Sequence, residues 1–68
     1  MVSLDDAKRI IKEKGKPYSC ADLPYGFVFC MSKDGFDYFI VDKRTGKISP
    51  FSPGLDLVGY SNSRKFLV

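Results

Sequence analysis

Two runs dense in aromatic and aliphatic residues, Tyr25-Gly26-Phe27-Val28-Phe29-Cys30-Met31 and Phe36-Asp37-Tyr38-Phe39-Ile40-Val41, dominate the hydrophobic pattern of the chain. In the first, Tyr25, Phe27, Phe29 and Met31 share one parity, and Gly26, Val28, Cys30 and Ser32 share the other. Side chains alternate across a strand, so this period places the large groups on one face. The second run sets Phe36, Tyr38 and Ile40 against Asp37, Phe39 and Val41. Ser32-Lys33-Asp34-Gly35 between them has turn chemistry, and the whole reads as a β-hairpin. Each strand has one strongly apolar face and a second that is half apolar, more than an antiparallel sheet with one solvated side requires. The second face calls for a cover, supplied by the tail of the chain or by a partner.

The pattern before the hairpin has a different period. Leu4, Ala7, Ile10 and Ile11 recur at three- and four-residue spacing, which predicts an amphipathic helix of about three turns. Ser3 stands as its N-cap and Asp6 as the reciprocal acid of a capping box. Gly15 supplies a left-handed stop and Pro17 forbids resumption. Tyr18 to Pro24 alternates only loosely and reads as a connection or a short edge strand.

After the hairpin, Asp42-Lys43-Arg44-Thr45-Gly46 reads as a turn in which Asp42 bonds to backbone ahead of it and Gly46 takes positive φ. Lys47 to Phe51 reads as a third strand that is short and at an edge, or that ends at Pro50, because Pro50 has no N–H to give a central ladder. Leu55 to Tyr60 fits either a fourth strand or a single helical turn. Phe66, Leu67 and Val68 are expected to dock rather than fray. The fold class expected is α+β: one N-terminal helix packed on a three- to four-stranded antiparallel β-meander, forming one small domain over residues 1–68.

Composition narrows the chemistry. Six Phe and four Tyr supply most of the core material. Eleven Lys and Arg stand against eight Asp and Glu, for a formal charge of +3. That balance permits nucleic acid or an acidic protein partner and requires neither. Cys20 and Cys30 lack the spacing of a zinc site and read as buried small apolar groups. No signal segment is evident, and no run reaches the roughly 18 apolar residues that would span a bilayer. A cytoplasmic location without membrane association is expected.

The chain contains no His, the residue at the centre of the usual proton shuttles, nucleophilic triads and many metal sites. Asp5 and Asp6 suit a helix N-terminus, and Asp34, Asp37 and Asp42 suit turns. No enzyme activity, cofactor or metal is expected. The glycines are scattered and form no phosphate cradle. Tyr25-Gly26-Phe27-Val28 is similar to part of the aromatic strand of RNA-recognition motifs, but Leu23 and Pro24 stand where that motif has a basic residue and glycine. Lys12, Lys14, Lys43, Arg44 and Lys47 are the residues that would serve nucleic acid.

A broader resemblance rests on Tyr25-Gly26-Phe27-Val28-Phe29 and on Ile40-Val41-Asp42-Lys43-Arg44-Thr45-Gly46-Lys47-Ile48. These segments, with the preceding helix, resemble the YrhB-like family of small bacterial immunity proteins associated with polymorphic toxins. The chain departs from that family at Phe27, where members tend to carry Trp, and in the direct turn at Lys33-Asp34-Gly35. The resemblance implies stoichiometric binding to a protein target, without turnover.

The expected function is therefore that of a non-enzymatic protein-binding module, a toxin-immunity factor or a phage-type small inhibitor. The alternative is a small basic nucleic-acid-binding protein. Tyr18, Tyr25, Tyr38 and Tyr60 are the expected anchors for a protein partner, because a phenol tolerates both burial and water. A homodimer formed through the second sheet face is a further expectation.

Overall fold

The computed structural model describes all residues from Met1 to Val68. Helix α1 spans Leu4–Ile11. The Ser3 hydroxyl accepts from the Asp6 N–H at 3.1 Å, and the Asp6 carboxylate accepts from the Ser3 N–H at 3.3 Å. This capping box satisfies donors that the helix cannot pair internally. The helix is two turns, shorter than the period suggests. From Glu13 onward the N–H groups reach back three residues, to Ile10, Ile11 and Lys12, and Gly15 breaks the chain direction at φ 128°. Ala7 and Ile11 are fully buried beneath it.

Five strands follow: β1 Ser19–Leu23, β2 Gly26–Cys30, β3 Tyr38–Asp42, β4 Ile48–Phe51 and β5 Arg64–Leu67. They form one antiparallel sheet in the order β4-β3-β2-β1-β5. The first four make a meander, and the fifth returns to flank the first. The count exceeds the three or four strands expected from the sequence. Ser19–Leu23, expected to be a connection or edge, lies between two partners and contributes three buried residues, Cys20, Ala21 and Leu23.

Both faces of the sheet are covered, by different segments. Phe27, Phe29, Cys20 and Val41 point to the α1 side and pack with Ala7 and Ile11. Val28, Ala21 and Leu23 point the other way, against Tyr38, Ile40, Phe51 and Tyr60. The cover on that second side comes from the tail. A 3₁₀ turn, Pro53–Asp56, leads into helix α2, Leu57–Asn62, which sets Tyr60 edge-on to Tyr38 with centroids 6.1 Å apart and beside Phe51 at 6.5 Å. Leu55 to Tyr60 is thus helical. Phe36, whose parity suggests the apolar face, lies before β3 begins and is 87% exposed.

Candidate interaction surface

The two edges of the sheet differ. At the β4 edge, the Asp42 N–H donates to the Lys47 carbonyl at 3.0 Å. With the observed register, Ile40 with Ser49 and Tyr38 with Phe51 are then hydrogen-bonded pairs, and Phe39 with Pro50 is not. The N–H that Pro50 lacks would have pointed outward. Proline here costs the ladder nothing and denies the edge a donor, a device that blocks strand addition.

At the opposite edge, the Val68 N–H donates to the Tyr18 carbonyl at 3.3 Å. Counting inward, Cys20 with Phe66 and Asp22 with Arg64 are the bonded pairs, so the N–H and C=O of Lys65 and Leu67 point away from the sheet. No proline stands on this strand. The β4 edge is left with one outward donor, the Ile48 N–H, while the β5 edge keeps two and is the more open.

The open edge has two chemically distinct sides. On the α1 side lie Arg64, Phe66 and Val68. Two hollows lie between this edge and α1, which together form the groove on this side: one is lined by Lys8, Lys12, Lys16 and Val68 and the other by Leu4, Asp22, Arg64 and Phe66. Leu4, Lys8 and Lys12 sit four residues apart, so helix periodicity puts them on one flank. Asp22 carries the one carboxylate among these lining residues, and it is taken by the Lys43 ammonium at 2.5 Å. On the other side, Leu67 is 86% exposed. Three more exposed aliphatics, Leu55, Leu57 and Val58, belong to the 3₁₀ turn and α2 on that side.

The four tyrosines are not gathered into one patch. Tyr18 and Tyr25 are both exposed. Tyr38 and Tyr60 meet in the second core, where burial is the largest cause pushing the Tyr38 phenol up to about 12. Tyr25 donates to the Asp56 carboxylate, and that bond raises its own phenol to about 12 while lowering Asp56.

The basic residues singled out for nucleic acid are also dispersed. Lys12 lines the α1–β5 groove. Lys14 lies over the Phe39 ring at 5.5 Å. Lys43 pairs with Asp22 and sits 4.6 Å from the Phe27 centroid. Arg44 and Lys47 stand exposed at the β3–β4 turn, which Asp42 organises by accepting from the Arg44 and Thr45 N–H groups. These bonds hold the Asp42 carboxyl below its ordinary value.

Cys20 and Cys30 are free and buried. Desolvation pushes the Cys20 thiol up to about 12, so it is a packing group rather than a nucleophile at neutral pH. No cluster of three or more His, Cys, Asp or Glu side chains is placed to hold a metal ion. No helix is long and apolar enough to cross a membrane.

The β5 edge escapes sequence reasoning because the alternation of Arg64, Lys65, Phe66 and Leu67 is too short to assign a strand. The signal present in the sequence is Pro50, which removes a donor from one edge and leaves the other the richer in outward backbone groups. The chain matches no family model, and no curated protein or solved structure is similar to it.

Proposed function

We propose that the protein is a non-enzymatic binding module that inhibits or neutralises a partner protein, and that it docks through the open edge at β5. The observation that carries this reading is the asymmetry of the sheet, with Pro50 leaving the β4 edge only the Ile48 donor while Lys65 and Leu67 both offer outward backbone groups at the other. Backbone groups at an open edge recruit a strand from another chain, and the flanking side chains select which strand. The fixed scaffold favours this mode, because an edge already ordered costs little further entropy on binding.

The likeness of Tyr25–Phe29 and Ile40–Ile48 to immunity proteins supports the same class of action. A module of this kind acts by occupying a surface of its target at fixed stoichiometry. The test is affinity capture from source-cell lysate with and without nuclease, using the native chain and a Leu67→Pro variant. The Leu67 N–H points outward, so proline there spares the β1–β5 ladder as Pro50 spares β3–β4. A discrete stoichiometric protein captured by the native chain and lost with Leu67→Pro is the expected result. Recovery of nucleic acid alone, or capture indifferent to Leu67→Pro, would overturn the reading.

A further inference from the structure

We infer that the strand received at β5 is an acidic, alternating segment of a partner protein, with carboxylates at every second position and apolar side chains between them. The inference rests on docking at the β5 edge and adds the chemistry of what docks. A strand laid beside β5 runs about 4.8 Å away and sends successive side chains to opposite faces. Those on the α1 side come beside Lys8, Lys12 and Lys16 at one end of the groove and Arg64 at the other. Those on the opposite side come beside Leu67, which is 86% exposed, and Lys65, whose ammonium is turned back onto the Tyr60 and Ser63 carbonyls. The single carboxylate in the groove lining, Asp22, is already neutralised by Lys43, so the cations there face no competing acid from that wall.

The same charges argue against a second copy of this chain as the occupant. Two β5 strands overlapped antiparallel would set Lys65 of one copy against Leu67 of the other and Arg64 against Val68, so a second copy brings no carboxylate to the cations, and an edge lysine disfavours self-pairing. They also argue for peptide over nucleic acid. The outward edge of Lys65 and Leu67 offers donors and acceptors in alternation, which a peptide backbone matches and a phosphate backbone, acceptor only, does not. Phe66 lies half-buried in the groove floor, packed against the α1-side core, and so is poorly placed to stack on a base.

The experiment is selection of a displayed random-peptide library on the immobilised protein, followed by amide chemical-shift mapping with the enriched peptides. The expected peptides alternate Asp or Glu with apolar residues, move the Lys65 and Leu67 amide signals, and lose binding to Leu67→Pro. A Lys8→Glu, Lys12→Glu, Lys16→Glu triple variant should weaken them by about tenfold or more and flatten their salt dependence. Enriched peptides that shift the β5 amides yet carry no acidic bias, or are indifferent to the triple variant, would overturn the acidic partner and leave edge docking standing. Peptides that leave those amides unmoved, or a selection that enriches nothing, would overturn both. Stronger perturbation of the same amides by single-stranded oligothymidylate than by any selected peptide would overturn the inference in favour of nucleic acid. The shift map reads the native chain directly, so it stands even if Leu67→Pro fails to fold.

Discussion

Tyr25 and Asp56, separated by 31 residues, are joined by a hydrogen bond of 2.6 Å from the phenol to the carboxylate. The bond ties the β1–β2 turn to the start of α2, and so fastens the cover of the second sheet face onto the meander. Asp56 does two tasks at once, since its other oxygen accepts from the Gly59 N–H at 3.1 Å and caps α2. Tyr25→Phe should lower the denaturant midpoint and raise hydrogen exchange in α2 before it affects β2 or β3. In a tyrosinate absorbance titration, Tyr25 and Tyr38 should ionise late, near pH 12. The Tyr25→Phe variant should lose one of these late steps.

Acid should loosen the structure through the same type of contact. Asp6, Asp42 and Asp56 are each held below the ordinary value of 3.8, chiefly by Ser3, by the Arg44 backbone and by the Tyr25 hydroxyl respectively. A carboxyl whose folded value is depressed contributes stability above its unfolded value and loses it as pH falls through the folded one. Stability should therefore be level above about pH 5 and decline progressively below about pH 4, the unfolded range. Urea midpoints measured across this range check the sign. Asp42→Asn, which keeps the acceptor oxygen but cannot titrate, should flatten part of the decline.

Aromatic content alone does not rank the rings. Phe29 is fully buried under α1 while Phe36 is 87% exposed. Phe29→Ala should cost about 3–5 kcal/mol, comparable to the whole stability of a domain this small, and Phe27→Ala should fall in the same class. Phe36→Ala should change stability by no more than about 0.5 kcal/mol. Thermal melts followed by circular dichroism distinguish them.

Two glycines offer a similar contrast. A Cβ on Gly26 would sit 2.8 Å from the Ile40 side chain and 3.0 Å from the Val41 carbonyl oxygen. Gly26→Ala should therefore cost about 1–3 kcal/mol, the range for overpacking a filled site. A Cβ on Gly54 would approach no atom closer than 3.8 Å. Gly54→Ala should be neutral or slightly stabilising, because it narrows the unfolded ensemble at no native cost. Denaturant midpoints of the two variants give the comparison.

The chain's own pattern determined the parts whose physics is local. The Ser3–Asp6 capping box, the Asp42 turn with Gly46 at φ 76° and the Gly35 turn at φ 76° all involve residues within a few positions of each other, and the β2–β3 hairpin joins strands adjacent in the chain. Backbone chemistry at such short range is legible in residue types. Burial of Cys20, Phe27 and Phe29, and the placing of the Pro50 strand at an edge, also follow from residue character.

Tertiary structure decided what depended on partners far along the chain. Ser19–Leu23 became an inner strand only because Arg64–Leu67 returned to pair with it, a contact spanning more than forty residues that no local alternation encodes. The short stretch Leu57–Asn62 became helical in a setting where Tyr60 packs on Tyr38 and Phe51 and Asp56 caps it, while six residues alone satisfy either period. The open edge, and the placing of Lys8, Lys12, Lys16 and Arg64 along it, exist only once β5 has returned to flank β1 on the sheet that carries α1. Long-range pairing sets which backbone groups stay unpaired, and those groups are what the protein has to offer a partner.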